Sequence, residues 1–296
     1  MSAHRSGVVA VVGRPNVGKS TLINHLVGQK VSIVSDKPQT TRRGIRAILT
    51  TEDAQVVFTD TPGFHKPTTL LGARLNDLVG NAVAGVDVVV LVVDASGGGV
   101  GRGDAFVYGQ QVAGGGTVTR ICAVNKIDRL AHPGVVPQLA AAQALGDWDE
   151  IVPVSAATGD GVAELRDTLI ARLPEGPALF PDAEVTDQSL ETRLTEIVRE
   201  QALAVTRQEV PHSVAVVIDE IERAEGLTSV HISIVVERDS QKPIVIGRGG
   251  QILKTIGTRS REEMERLLDT KVYLDLHVKV MKEWQRDPKA LDRLGF

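Results

Sequence analysis

Residues 13–20 read Gly13-Arg14-Pro15-Asn16-Val17-Gly18-Lys19-Ser20 and follow the apolar run Val8–Val12. The stretch matches the pattern GxxxxGKS/T, and helical spacing begins at Ser20, so the stretch lies between a predicted strand and a predicted helix. Glycines let the backbone N–H groups of such a loop turn inward around phosphate oxygens, and the dipole of the following helix favours the same anion. The stretch therefore predicts a phosphate-binding loop at a strand end.

Each position of this loop has an expected role toward a nucleotide. The Lys19 ammonium is expected to bridge the β- and γ-phosphates, and the Ser20 hydroxyl is expected to bind Mg²⁺. A single match of this kind can also be a glycine-rich turn, so the interpretation depends on companion motifs. The predicted contact set is Gly13, Arg14, Pro15, Asn16, Val17, Gly18, Lys19, Ser20 and Thr21.

A second motif, Asp60-Thr61-Pro62-Gly63, follows another predicted strand. The Asp60 carboxylate can hold Mg²⁺ through water. The N–H of Gly63 can sense the γ-phosphate, because glycine permits the backbone to flip. This motif therefore predicts a metal ligand and a nucleotide-sensing loop, with Thr61 and Pro62 among the contacts.

Two further motifs predict guanine as the base. In Asn125-Lys126-Ile127-Asp128 the Asp128 carboxylate can accept two hydrogen bonds from the ring and amino N–H groups of guanine, a donor pair that adenine lacks. Asn125 is expected to brace the loop, and the Lys126 stem is expected to lie over the base. Ser155-Ala156-Ala157 follows a later strand and can offer a backbone N–H to the guanine carbonyl. Four motifs at four strand ends predict a site for GTP or GDP.

The first part of the chain alternates apolar strands with amphipathic helices. This alternation predicts an α/β fold with a doubly wound, mostly parallel sheet covered by helices. A short loop, Thr51–Asp53, predicts an antiparallel hairpin at one sheet edge. The predicted strands are Val8–Val12, Gly44–Thr50, Val56–Thr59, Val86–Val93, Thr119–Val124 and Ile151–Val154, and the predicted helices are Ser20–Val27, Leu70–Val83, Asp104–Val112, Val135–Leu145 and Val162–Leu173.

Prolines interrupt the pattern after Leu173, which predicts domains at 1–173 and 189–282, a linker at 174–188 and a polar tail at 283–296. The second domain has the order α-β-β-α-α-β. Its predicted elements are Ser189–Thr206, Ser213–Ile221, Ser229–Glu237, Pro243–Ile246, Gln251–Asp269 and Lys271–Met281. Between its fourth element and the long helix lies a GxxG motif, Gly247-Arg248-Gly249-Gly250.

GxxG between two helices, in this element order, resembles the type II KH domain, an α+β RNA-binding unit. Two glycines let a nucleic-acid backbone lie close to helix N-termini, and about four nucleotides are clamped. Residues 242–261 hold five basic side chains and no acidic one, although the whole chain has a net charge of −4. A local basic stripe suits phosphate contact, although it is also compatible with a solvated helix face. The predicted RNA contacts are Lys242, Ile246, Gly247, Arg248, Gly249, Gly250 and Lys254.

The four nucleotide motifs and the KH unit together resemble the Era family of bacterial GTPases, over about residues 7–282. The segment Pro38-Gln39-Thr40-Thr41-Arg42 is similar to that family's first switch, where one Thr completes the Mg²⁺ shell. Thr41 is the first choice for this role and Thr40 the alternative. The resemblance makes Lys19, Thr41, Gly63 and Asn16 the expected catalytic set, and Ser20, Thr41 and Asp60 the expected metal ligands.

Two positions bear on the rate of hydrolysis. Ras-like enzymes position water with a Gln directly after the glycine of the second switch, and here that place is Phe64, so slow intrinsic turnover is expected. Related GTPases with Asn at the position of Asn16 bind K⁺ in place of an arginine finger, which implies K⁺ as a further cofactor. The alternative is an Asn that bonds only its own loop.

The resemblance implies binding to small-subunit ribosomal RNA, a role in assembly of the ribosomal small subunit, and peripheral contact with the inner face of the cell membrane. No DNA partner is expected. A single cysteine and a polar segment at Met1–Gly7 favour the cytoplasm. Two rivals remain at this point: a GTP-dependent protein-binding scaffold, and a GTPase acting on another RNA, although no terminal catalytic Cys is present for the transfer-RNA-modifying type.

Overall fold

The computed structural model describes residues 4–37, 39–114, 117–206 and 210–296. Pro38 of the predicted first switch lies outside the described residues. The chain divides into two compact units, one formed mainly by residues up to 187 and the other mainly by residues 188–296. Each unit has its own apolar core.

The first unit contains a six-stranded sheet with the order β2-β3-β1-β4-β5-β6. Only β2 runs antiparallel to its neighbour, so the prediction of a mostly parallel sheet with an edge hairpin is confirmed. The strands are β1 Arg5–Val12, β2 Ile45–Thr50, β3 Ala54–Asp60, β4 Val88–Asp94, β5 Thr119–Asn125 and β6 Glu150–Val154.

Helices cover both faces of this sheet because the central strands are apolar on both sides. In β4, Val88, Val90 and Val92 belong to one buried cluster, while the alternate residues belong to the cluster on the opposite face. The helices are α1 Lys19–Val27, α2 Leu70–Val83, α3 Arg102–Val107, α4 Val135–Gln143 and α5 Val162–Arg172. The helix predicted over Asp104–Val112 ends as an α-helix at Val107 and continues as one π-helical turn over Tyr108–Val112.

Residues 174–187, predicted as a linker, pack along the first unit. The Gln55 side chain is fully buried: its Oε1 accepts hydrogen bonds from the N–H groups of Leu179 (2.6 Å) and Phe180 (2.8 Å), and its Nε2 donates to the Phe180 carbonyl (2.9 Å). The Ile48 N–H donates to the Val185 carbonyl at 2.9 Å. The edge strand β2 has unpaired backbone groups on its outer side, and this segment satisfies some of them.

The second unit contains the three-stranded sheet β7-β8-β9, in which β7 and β8 are antiparallel and β8 and β9 are parallel. Val230, Ile232, Ile234 and Val236 of β8 face the helices that carry Leu194 and Ile256. The prediction of an α+β unit is confirmed, with one short helix added before its first strand. Its elements are α6 Leu190–Val205, α7 Val210–Ser213, β7 Ala215–Ala224, β8 Leu227–Val236, α8 Lys242–Ile246, α9 Gln251–Leu268 and β9 Lys271–Val280.

The C-terminal segment, predicted as a polar tail, is an ordered part of the second unit. Trp284 is fully buried, its Nε1 donates to the Ser213 carbonyl at 3.1 Å, and its ring stacks on Phe296 at a centroid distance of 5.6 Å. A short helix, α10 Pro288–Arg293, follows, and Leu291 is fully buried. The apolar side chains of Trp284, Leu291 and Phe296 are enough to anchor a segment whose average composition is polar.

Cys122 of β5 is fully buried, and burial together with the nearby Asp104 charge raises the pKa of its thiol. Cys122 is therefore a packing residue and a poor nucleophile. None of the helices in the described parts of the chain combines the length and apolar character needed to cross a bilayer.

Replacing Gln55 with Ala should destabilise the protein by about 1–3 kcal/mol, because the N–H groups of Leu179 and Phe180 lose their acceptor. Urea unfolding should show this loss, and amide hydrogen exchange should accelerate at Leu179 and Phe180. Glu52→Ala, at an exposed position of the same hairpin, is the control and should change neither. Unchanged exchange at Leu179 and Phe180 in Gln55→Ala would show that the segment is held by other contacts.

Candidate functional site

The loop 13–18 connects β1 to α1, and its shape requires glycine at its end. Gly18 caps α1 in the left-handed region, with φ 101°. A Cβ at this position would lie 2.3 Å from Asn125 Nδ2, so no larger residue fits. Asn16 also has positive φ, 62°, and its backbone carbonyl accepts a hydrogen bond from Lys126. The loop is thus held in one conformation by a neighbouring strand end.

Lys19, at the start of α1, is buried and folds back over the loop. Its Nζ donates to the carbonyl oxygens of Gly13 (3.1 Å) and Arg14 (3.0 Å). Burial lowers the pKa of Lys19 to about 8, an effect that the nearby Asp60 charge only partly offsets. A buried ammonium with two carbonyl partners is a strong anion-binding group. Burial deprives its charge of hydration, and the negative charge of a bound phosphate would stabilise it instead.

Ser20, Thr41 and Asp60 meet at one point, as the predicted metal ligands should. Asp60 Oδ2 accepts hydrogen bonds from the Ser20 hydroxyl (2.7 Å) and the Thr41 hydroxyl (3.3 Å), and the two hydroxyl oxygens are 3.1 Å apart. Burial raises the pKa of Asp60, while Ser20, Lys19, Ser32 and Thr41 act in the opposite direction. Asp60 Oδ1 has no hydrogen-bond partner within the described residues. A buried carboxylate oxygen without a partner is an incomplete site for a cation.

The second switch motif packs on the phosphate loop. A Cβ on Gly63 would lie 2.6 Å from Pro15 Cα, so glycine is needed here for close approach. The Thr61 hydroxyl donates to the Val11 carbonyl at 2.7 Å, and the Phe64 N–H donates to the Gly13 carbonyl at 3.2 Å.

Phe64 is buried in the cluster on one face of the sheet, and its ring stacks on Phe106 at a centroid distance of 5.6 Å. It offers no polar atom to a water. His65 is half-buried between the two switch segments: its ring nitrogens lie 3.0 Å from the Gly63 carbonyl and 2.9 Å from Gln39 Nε2.

Asn125 joins the phosphate loop to the segment after β6. Its Nδ2 donates to the Val17 carbonyl at 2.8 Å, and its Oδ1 accepts from the Ala156 N–H at 2.9 Å. The side chain is almost fully buried. The amide therefore uses both of its ends to fix two loops relative to β5.

Lys126 and Asp94 form an ion pair that the sequence motifs did not include. Lys126 Nζ lies 2.5 Å from Asp94 Oδ2 and 2.7 Å from the Asn16 carbonyl oxygen. Burial raises the pKa of Asp94, but hydrogen bonds from Lys126 and Ser96 and the Lys126 charge outweigh it and bring the pKa to about 2. The pair fixes the stem of Lys126 between the phosphate loop and the end of β4.

The two guanine motifs lie side by side. The Ser155 hydroxyl donates to Asp128 Oδ1 at 2.6 Å. The Ser155 N–H donates to the Asp160 carbonyl, and Ala156 is engaged with Asn125. Ser155 and Ala156 are buried, whereas Ala157 is exposed.

The side chain of Arg14 is paired with a buried acid. Its Nε donates to Asp104 Oδ1 at 2.7 Å, and Asp104 is fully buried. This ion pair ties the phosphate loop to α3, and contact of Arg14 with a nucleotide stays a prediction. Asp104 also accepts from the Gly101 N–H at 3.0 Å, which orders the end of the glycine-rich loop 96–103.

In the second unit, the GxxG motif is a tight turn between α8 and α9. Gly247, Gly249 and Gly250 have φ values of 77°, 60° and 77°. A Cβ on Gly247 would lie 2.6 Å from Ile252 Cγ1. The turn presents Arg248 and Gly249 to solvent, and Lys242 and Lys254 are also exposed.

Ile246 and Ile252 pack against the core of the second unit. Both side chains are partly buried. Contact of Ile246 with RNA stays a prediction.

A groove of about 350 Å³ opens beside the turn, between α9 and β9. Lys254 and Arg261 form a basic rim, and Leu253, Leu274 and Leu276 form an apolar wall. Gly250, Gly257 and Thr258 complete the lining. Of the predicted contacts, Gly250 and Lys254 line this groove. The other residues that line the groove were not predicted. Positions 250, 253, 254, 257, 258 and 261 recur at helical spacing, so the sequence did indicate that they share one face of the helix.

Known proteins resemble the chain over its whole length. A family model described as a 50S ribosome-binding GTPase matches residues 8–126, and one described as a KH domain matches residues 209–285. GTPase Era of Mycobacterium tuberculosis is 53% identical, with all of both chains aligned. GTPase Era of Mycolicibacterium smegmatis is 51% identical over the same full coverage. The chain belongs to the Era family of GTPases.

Solved structures of Era agree in fold. One, of Era in complex with MgGDPNP and nucleotides 1506–1542 of 16S ribosomal RNA, has a TM-score of 0.94 and 38% identity, covering 99% of each chain. Another, of an Aquifex aeolicus Era variant bound to GDP and AlF4⁻, has a TM-score of 0.94 and 39% identity, covering 98% of this chain and 99% of that one. The match to Era over nearly the whole chain includes both the GTPase domain and the KH domain, as the sequence predicted.

The Lys19 pKa predicts that nucleotide affinity falls with rising pH. Phosphates stabilise charged Lys19, so its pKa is higher in the complex than in the free protein, and the complex binds more protons above pH 8. The affinity for GDP should therefore be nearly flat up to about pH 7.5 and should then fall by up to about tenfold per pH unit. Calorimetric titration at about pH 8.5 in two buffers of different ionisation enthalpy should reveal proton uptake.

Lys19→Arg is the matched control, because guanidinium does not titrate in this range while the titration of guanine itself is retained. Parallel pH curves for wild type and Lys19→Arg would contradict the prediction.

Proposed function

We propose that the motifs at 13–20, 41, 60–63, 125–128 and 155–157 form the guanine-nucleotide site of this Era-family GTPase. The convergence of Ser20, Thr41 and Asp60, with the unpartnered Asp60 Oδ1, is the observation that carries the proposal. These three residues fit Mg²⁺, which prefers oxygen ligands and would neutralise phosphate charge when bound. Lys19 would leave the Gly13 and Arg14 carbonyls to contact the β- and γ-phosphates.

Selection of guanine is assigned to Asp128, with Ser155 orienting its carboxylate through the 2.6 Å hydrogen bond. The Lys126 stem, fixed by Asp94, would cover the base, and the Ala157 N–H would meet the guanine carbonyl. Asp94 thereby joins the proposed site as a positioning residue. A protein relative with MgGDPNP bound supports both the metal and the nucleotide.

Hydrolysis is expected to be slow in the isolated protein. Phe64 stands where a water-positioning Gln stands in Ras-like enzymes, and its ring is committed to the core. The proposal therefore needs another source of transition-state stabilisation. K⁺ held by the side chain of Asn16 is the source we assign, because this residue is exposed at the phosphate loop and related GTPases with Asn at this position bind K⁺.

We infer further that the second unit binds single-stranded RNA from the small ribosomal subunit, and that the protein assists assembly of that subunit. The groove between α9 and β9 carries this inference, because it has a basic rim and an apolar wall beside a GxxG turn. The Era structure that contains nucleotides 1506–1542 of 16S ribosomal RNA supports it.

GTP-dependent ordering of Thr41 and Gly63 would link the two activities, since loss of the γ-phosphate removes what both residues sense. Nucleotide state would then gate RNA affinity. The proposal places the protein in the cytoplasm. Peripheral contact with the inner face of the membrane is a secondary expectation that rests on family resemblance.

RNA binding should be tested with a short RNA copying the 3′ end of small-subunit ribosomal RNA, at fixed salt, with GDP and with a non-hydrolysable GTP analogue. Binding should be tighter with the analogue. Arg248→Asp combined with Gly249→Asp should weaken binding at least about a hundredfold, because two negative charges would face the phosphates.

Lys282→Asp is the control: it changes the charge by two units in the same unit of the chain, against three for the double variant, at a side chain that is 79% exposed, and it should change affinity only slightly. DNA of the same sequence should bind more weakly, because it lacks the 2′-hydroxyl. Absence of RNA binding in both nucleotide states would remove the RNA proposal and favour a protein-binding scaffold.

GTP turnover should be about tenfold or more faster in K⁺ than in Na⁺ at equal ionic strength, because K⁺ adds positive charge near the transferring phosphoryl group. Asn16→Ala should remove most of this difference while leaving GDP affinity within about threefold. Single-turnover hydrolysis in the two salts is the measurement. Equal rates in K⁺ and Na⁺ would show that Asn16 bonds only its own loop.

A further inference from the structure

Gly257 lies in the interior of α9, between Gln251 and Leu268, where glycine is unfavourable. Glycine loses more backbone entropy than alanine on entering a helix, so an interior glycine lowers helix stability. Its backbone has ordinary helical conformation, since it is not among the residues with positive φ. Chain geometry therefore gives no reason for glycine at this position.

Packing gives no reason either. A Cβ at Gly257 would have the Leu276 Cδ1 atom at 3.5 Å as its near neighbour outside the helix, an ordinary van der Waals distance. Gly18, Gly63 and Gly247 differ in this respect, because a Cβ on any of them would meet another atom at 2.6 Å or less. Alanine at 257 would fit the folded protein without strain.

What distinguishes Gly257 is its place on the floor of the groove between α9 and β9. Lys254 and Arg261 stand one turn before and after it, and Leu276 faces it from β9. At Gly257 this floor carries no side chain, Leu276 supplies an apolar neighbour, and the two cations flank it. Phosphates belong at such a rim, and the flat faces of unstacked bases belong against such a floor.

We propose that Gly257 is a specificity-determining residue of the groove, kept small so that one unstacked nucleobase can lie flat against α9. The inference rests on the proposed RNA-binding function and deepens it. A methyl group at 257 would hold that base away from the floor. It would leave the phosphate contacts proposed for Lys254 and Arg248 in place.

Gly257→Ala in the full chain should therefore change stability and binding in opposite senses. Amide hydrogen exchange across residues 251–268 should slow by about fivefold, because alanine favours the helix. Affinity for the ribosomal 3′-end RNA should fall by about tenfold or more. Gly257→Val should weaken binding further.

Gly80→Ala is the matched control, since Gly80 lies in the interior of α2, is exposed, and has open space within 4 Å of the point where a Cβ would stand. It makes the same chemical change outside the groove and should leave RNA affinity unchanged. A set of RNAs, each abasic at one position, then tests the base directly. The RNA that is abasic at the position over residue 257 should bind wild type and Gly257→Ala with equal affinity, because the clashing base is absent.

Three results would overturn the inference. If Gly257→Ala bound the intact RNA with wild-type affinity, residue 257 would have no steric role in binding. If Gly257→Ala lowered the affinity for every abasic RNA by the same factor, residue 257 would act on the RNA backbone and not on one base. Weaker binding accompanied by faster hydrogen exchange across α9 would make the residue structural. Wild type that fails to bind RNA would instead overturn the proposed function, and this inference with it.

Discussion

The buried side chain of Asn125 is the constraint on which the predicted nucleotide site depends. Its amide donates to the phosphate loop and accepts from the segment after β6, so one side chain fixes two loops to the end of β5. Leaving either end unpaired would cost about 1–3 kcal/mol. The same side chain explains Gly18, because no Cβ fits beside Asn125 Nδ2. The Lys126–Asp94 pair adds a second tie, through the Asn16 carbonyl.

The two switch segments are held differently from this fixed frame. Thr41 reaches the site through hydroxyl contacts to Ser20 and Asp60, and Gly63 through contact with Pro15. These contacts involve the groups that are proposed to meet phosphate and metal, so nucleotide binding would exchange one set of contacts for the other. A proposed base-binding frame that Asn125 fixes, beside loops that meet the proposed phosphate and metal positions, suits a nucleotide-dependent switch, because only the loops should respond to the γ-phosphate.

Much of the fold could be predicted because its signals are local. Continuous apolar runs such as Val88–Val93 indicate strands buried on both faces, and the order of strands and helices then selects a doubly wound sheet. Helix α2 has the bounds that its apolar periodicity predicts. The phosphate loop and the GxxG turn depend on short motifs whose glycines have a backbone or steric reason, and these too are visible in sequence.

The rest depends on contacts between distant residues. Gln55 holds Leu179 and Phe180 across more than a hundred positions, and no local pattern marks a proline-rich segment as docked. Asp94 and Asp104 look like ordinary acids until Lys126 and Arg14 are seen beside them. The groove lies between a helix and a strand that are distant in sequence. From the sequence alone, Leu274 and Leu276 of the strand are therefore predicted only as core residues. Trp284 anchors a segment that composition describes as polar.

The burial of Cys122 has a practical consequence for spectroscopy. It is the chain's one cysteine, it lies within β5, and its thiol resists ionisation. A maleimide or nitroxide reagent would therefore leave the natural chain unlabelled under native conditions. Cysteines introduced at exposed positions, one in each unit, could carry a donor and an acceptor dye without removal of the native residue. Nucleotide-dependent motion could then be followed in molecules whose core is unaltered.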